Sequence, residues 1–119
     1  MKYMLLIYNN EQEWDRLTEQ QRQAIYGEFR QFGDQIKKSG HYVTGSQLQP
    51  ASSATSVKVR DGKRLLTDGP FAETREQLGG YYLVQAKDLD EAVEMAGRIP
   101  GARFGTIEVR PLVEMTVPA

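Results

Sequence analysis

Asp68 and Glu73 flank the turn Gly69-Pro70 and read as two carboxylates at the mouth of a pocket beside a dimer cleft. Partial burial and mutual repulsion in such a place suit one of them to general-base work. The structural alternative makes Asp68 a turn residue whose carboxylate accepts backbone amides, with Gly69 allowing the bend, Pro70 fixing it and Phe71 plugging the core. Glu76 adds a further oxygen ligand nearby, but no calcium-loop spacing is present, so neither metal nor cofactor is expected. His41, the lone histidine, follows Gly40 where a helix must end. Imidazole titrates nearest neutral pH and so suits proton transfer; with no partner visible from spacing, a capping role is the alternative. Tyr3, Tyr8, Tyr81 and Tyr82 lie in two apolar stretches, as core and interface packing or as the aromatic wall of a ligand cleft. In the second reading Tyr8 and Tyr82 face the ligand, and Arg110 orients a carboxylate or phenolate by forked hydrogen bonds.

Composition narrows the chemistry. The chain has 119 residues, 39% hydrophobic and 26% charged, which fits one domain spanning 1–119. Fifteen Lys and Arg against sixteen Asp and Glu leave a net charge of −1, so direct nucleic-acid binding by counterion release is not expected. Without cysteine there is no thiolate zinc site, iron–sulfur cluster or cysteine nucleophile. The longest apolar run, Met4 to Tyr8, is too short for a membrane span or a signal-peptide core, and the expected location is cytoplasmic.

These side chains need elements to hold them. Lys2 to Tyr8 is a strand whose two alternating sets, Tyr3/Leu5/Ile7 and Met4/Leu6/Tyr8, both want cover. A polar turn from Asn9 to Arg16 leads to the capping box Thr18-Glu19-Gln20-Gln21 and a long helix. Ile25, Phe29, Phe32 and Ile36 form its packing stripe, and Gly40 ends it. A strand near Tyr42 to Leu48, a Pro50–Ala54 loop, and a hairpin with one wet face turning at Asp61-Gly62 follow. Arg60 and Arg64 belong to its solvated surface. A short helical turn over Ala72 to Gln77 precedes Gly79-Gly80, which permits a bulge or close backbone approach rather than a phosphate loop. The strand Tyr81 to Ala86 again asks for cover on both sides. Asp88-Leu89-Asp90-Glu91 caps a shorter helix packed through Leu89, Ala92, Val93 and Ala96, and Thr106 to Val113 is the last strand. The tail to Ala119 reads as an edge or an exchanged arm. The order predicts an α+β, ferredoxin-like βαββαβ fold with an inserted hairpin and both helices on one face of an antiparallel sheet. The other face needs a second copy, giving a homodimer through the sheet face.

Five blocks carry a resemblance: Met1-Lys2-Tyr3-Met4-Leu5-Leu6, Thr67-Asp68-Gly69-Pro70-Phe71-Ala72-Glu73-Thr74, Leu78-Gly79-Gly80-Tyr81-Tyr82, Asp88-Leu89-Asp90-Glu91-Ala92 and Glu108-Val109-Arg110-Pro111. Together they resemble the DGPF proteins of the YCII-related family, nearly end to end. The resemblance implies a dimeric α/β barrel, gene neighbourhoods with extracytoplasmic-function sigma factors, and a wider superfamily that includes a dehydrochlorinase of aromatic ring cleavage. The suspected superfamily pair of a helix histidine with an aspartate is not matched here, since the histidine position falls near Phe29. Two functions are therefore expected. One is a cofactor-independent lyase or isomerase acting on a small polar or aromatic metabolite. The alternative is a non-catalytic small-molecule-binding or regulatory protein with a sigma factor as partner.

Overall fold

The computed structural model describes residues 1–114; the tail assigned above to an edge or exchanged arm lies largely outside the described residues. Its elements run β1 (Lys2–Asn9), α1 (Glu11–Asp15), α2 (Glu19–Lys38), β2 (Tyr42–Gln47), β3 (Thr55–Arg60), β4 (Lys63–Asp68), β5 (Gln77–Gln85), α3 (Leu89–Arg98) and β6 (Thr106–Pro111). Two short 3₁₀ turns, Ala51–Ser53 and Pro100–Arg103, complete the chain. Four strands form a sheet in the order β2-β5-β1-β6, every neighbouring pair antiparallel, while β3 and β4 pair only with each other. This is the α+β ferredoxin-like arrangement with its inserted hairpin.

Local chemistry explains the elements. Thr18 Oγ1 accepts the Gln21 amide at 3.1 Å and the Gln21 side chain accepts the Thr18 amide at 2.8 Å, so α2 starts with both orphan donors satisfied. Ile25, Phe32 and Ile36 are buried along its stripe. Phe32 and Ile36 join a core with Tyr3 and Leu5 of β1, Val84 of β5, and Ala92, Met95 and Ala96 of α3. The stripe of α3 therefore differs from expectation: Leu89 and Val93 are exposed and Met95 takes the buried place. At the hairpin tip Asp61 and Gly62 both have positive φ, 51° and 75°, the geometry a two-residue turn between right-twisted strands requires.

Other expectations are corrected. The polar turn after β1 contains a helix, α1, capped by Asn10, whose side chain accepts the Glu13 amide at 3.1 Å. No helical turn forms over Ala72 to Gln77, because β5 already begins at Gln77 and bends occupy the residues before it. Phe71 does not plug the core; it is 83% exposed. Both faces of the hairpin are wet, for every residue of β4 is exposed. β2 and β6 stop at Gln47 and Pro111, short of the expected ends.

Register decides what each sheet face carries. Tyr3, Leu5 and Ile7 stand opposite Val84, Tyr82 and Gly80 and point to the helices. Met4, Leu6 and Tyr8 stand opposite Leu83, Tyr81 and Leu78 on the other face, where they are half-buried by their own neighbours, Leu78 rather less so. Thr44 and Ser46 on one edge and Glu108 and Arg110 on the other give that apolar strip a polar rim.

Candidate functional site

An open cleft of about 840 Å³ lies where the Tyr8–Leu78 end of the helix-free sheet face meets three loops. Its walls come from residues 8–12, the Leu48–Ala54 loop and the segment from Pro70 to Leu78. Tyr8, Phe71 and Leu78 supply apolar surface, and Glu11, Glu73 and Arg75 supply charge.

Side-chain hydrogen bonds stitch the walls together. Glu11 Oε1 accepts the Ala51 amide at 2.8 Å, tying α1 to the loop after β2. Gln77 Oε1 accepts the Glu11 amide at 3.0 Å while its Nε2 donates to the Thr74 carbonyl at 2.7 Å. Gln77 thus joins α1 to the loop that carries Glu73. From behind, Arg22 Nη1 donates to the Leu17 carbonyl at 2.7 Å, and the Trp14 and Tyr26 rings meet edge to face at 5.5 Å. These contacts fasten α1 to α2.

Of the six residues expected in a site, the structure brings Glu73 and Tyr8 to this cleft. Asp68 ends β4 opposite Thr55, is exposed, and does not line the cleft. Its neighbour Gly69 closes the turn, donating to the Ala54 carbonyl at 2.7 Å and accepting the Ser56 hydroxyl at 3.0 Å. His41 stands at the far end of β5, where its carbonyl accepts the Gln85 amide, roughly 20 Å along the strand from Leu78. Ser39 Oγ lies 2.6 Å from His41 Nδ1, and His41 Nε2 lies 3.0 Å from Glu91 Oε1, which also accepts the Lys87 amide at 3.2 Å. His41 is thereby a strut between the end of α2 and the start of α3. Tyr82 faces the helices, not the cleft: its ring meets Phe32 at 5.3 Å and Tyr42 at 6.4 Å. Burial there raises its phenol pKa above the usual value, and the charge that Tyr42 would carry raises it further. Arg110 lies on the outer face of β6, exposed and paired with Glu108.

Sequence reasoning missed Glu11, Arg75 and Gln77. Asn10 followed three residues later by Glu13 is a capping signature that marked α1 and, with it, the place of Glu11. No local pattern marks Arg75 or Gln77. No group of three or more His, Asp or Glu side chains is placed so as to hold a metal ion among the described residues. No helix among them is long and apolar enough to cross a membrane.

The family model of the YCII-related domain matches residues 1–116. An uncharacterised protein of Rhizobium meliloti (strain 1021) is 32% identical over 114 residues, covering 94% of this chain and 92% of that one. Among solved structures, 5-chloro-2-hydroxyhydroquinone dehydrochlorinase from Burkholderia phenoliruptrix, in complex with 2,5-dihydroxybenzoquinone, is similar with a TM-score of 0.57. It is 13% identical, over 97% of this chain and 96% of that chain, so the likeness is one of fold.

Proposed function

Because this chain belongs to the YCII-related family, we propose that it is a cofactor-independent lyase acting on a small oxygenated ring or enol-like acid. The observation that carries this reading is the placement of Glu73 and Arg75 in a cleft whose remaining surface is largely apolar. Glu73 takes a proton from a carbon beside a leaving group. The C–H electron pair becomes the new double bond, the leaving group departs with its own bonding pair, and Glu73 returns the proton to water. Arg75 holds a phenolate or carboxylate of the substrate through its planar fork. Tyr8 and Phe71 frame the ring. The dehydrochlorinase of similar fold, in complex with 2,5-dihydroxybenzoquinone, lends support through the class of compound it takes.

The protein works as a homodimer through the helix-free sheet face. Met4, Leu6, Tyr8, Tyr81 and Leu83 form an apolar strip with a polar rim, the anatomy of a protein interface. Size-exclusion chromatography with light scattering checks this.

Melting-temperature shifts with hydroxylated quinones and aromatic acids find the ligand, since a compound that binds only the folded state raises the midpoint. Turnover is then compared between variants. Glu73→Gln loses about a hundredfold or more in rate and keeps binding. Arg75→Ala weakens binding about tenfold, and Asp68→Asn and His41→Ala leave both unchanged. A ligand whose turnover survives Glu73→Gln intact refutes the assignment of the base.

A further inference from the structure

We propose that the β3–β4 hairpin is an arm that seats on a second copy of this chain, and that this seating fixes the wall of the candidate cleft. The inference rests on the homodimer reading above and adds to it an element that the sheet face does not include.

The hairpin has no body beneath it. Val57, Val59, Leu65 and Leu66 are 56%, 68%, 47% and 65% exposed, and its strands pair only with each other. Val57 stands opposite Leu66, so the apolar residues Val57, Val59 and Leu66 share one face of the ribbon. A lone two-stranded ribbon is marginal in water, and an uncovered apolar one invites association. The molecule is also large for its length, as an arm standing off the body would make it. Its radius of gyration is 16.7 Å, against about 13.5 Å for a compact chain of 119 residues.

Two features select a second copy as occupant. The same chain leaves a second apolar surface uncovered, the strip Met4, Leu6, Tyr81 and Leu83, so two copies can bury both kinds of surface together. Charge agrees. The tip carries Lys58, Arg60, Lys63 and Arg64 against Asp61, and none of the four appears in an ion pair among the described residues. Since the whole chain has a net charge of −1, what remains of a second copy is acidic and attracts that tip.

The arm and the cleft share their ends. Ala54 precedes β3, Pro70 and Phe71 follow β4, and all three line the cleft. Tyr8 and Leu78 carry the helix-free sheet face into the same cleft. A copy seated on the arm and on that face therefore holds one wall in place and closes the open side.

The test is the triple variant Val57→Ser, Val59→Ser, Leu66→Ser. These side chains are exposed within one copy, so the body folds without them. Sedimentation equilibrium is expected to show the dimer dissociation constant raised at least a hundredfold, with 2,5-dihydroxybenzoquinone, used as the cleft probe, bound more weakly in proportion to the dimer lost. Amide hydrogen exchange of residues 56–67 in the parent protein gives a second reading. Those amides are expected to be protected at high protein concentration and to exchange at least tenfold faster on dilution to monomer. A dimer of unchanged affinity in the triple variant, with exchange independent of concentration, overturns the arm while leaving the sheet-face dimer standing. A parent protein that is monomeric at micromolar concentration overturns both.

Discussion

Replacing Gly105 by alanine tests whether β1 and the turn before β6 meet as closely as the structure has them. An added Cβ would lie 2.0 Å from the Tyr8 carbonyl oxygen and 3.1 Å from both the Tyr8 carbonyl carbon and Asn9 Cα. A carbon and an oxygen in ordinary contact stand about 3.3 Å apart, so the two backbones must part by about 1.3 Å. Backbone cannot swing aside as a lysine tip can. The Gly105 amide is also committed, donating to the Gly101 carbonyl at 2.9 Å. We expect a loss of about 3 kcal/mol, the upper end for overpacking. For a chain of this length that lowers the melting temperature by roughly 12 °C. Gly33→Ala is the contrast, since it lies within α2 with nothing inside 4 Å of the new methyl. That change should stabilise by about 0.5–1 kcal/mol, because alanine loses less backbone entropy in a helix. Thermal and urea unfolding followed by circular dichroism measure both. Because Tyr8 lines the cleft, Gly105→Ala also weakens the cleft ligand while Gly33→Ala does not. A Gly105→Ala midpoint equal to that of the parent would refute the contact.

Two further outcomes concern the core. Tyr82 has a raised pKa in the folded protein relative to its usual 10.0, so its contribution is complete below pH 10 and is lost as pH climbs through the folded value. Tyr82→Phe should therefore flatten the fall in urea midpoint above about pH 10, and an equally steep fall would count against burial as the cause. Phe32→Ala removes a ring that is 3% exposed and packed edge to face on Tyr82. Urea unfolding should show a loss of about 3–5 kcal/mol, and a loss under about 1 kcal/mol would mean the site collapses around the gap.

The frame was legible because its signals are local. Thr18 with Gln21, the stripe from Ile25 to Ile36, and Asp61-Gly62 each act over a few residues. The cleft was not, because its walls are three segments joined by the side chains of Glu11 and Gln77, and no periodicity encodes such a junction. Tyr82 shows a subtler failure. Counting by twos from Leu78, which faces the same way as Tyr8, puts Tyr82 on the cleft side. The register slips between Ile7 and Tyr8, leaving Gly79 as an extra residue in β5, and one extra residue turns every later side chain to the other face. The glycine pair was recognisable as a place for a bulge, but its effect on facing direction needed the pairing itself. The α3 stripe failed differently: Leu89 and Val93 offer one apolar set and Met95 another, and only the sheet beneath decides between them.

The centre of the sheet is held by β1, a strand made well before either of its partners. β1 sits between β5 and β6, with Tyr3 opposite Val84 on one side and Pro111 on the other. Its partners thus emerge from the ribosome roughly eighty and more than a hundred residues later, while the β3–β4 ribbon can close as soon as its turn is made. Until β5 has emerged, the most apolar strand of the chain has two open hydrogen-bonding edges, and until β6 has emerged it keeps one, an interval in which chaperones guard it and refolding loses yield.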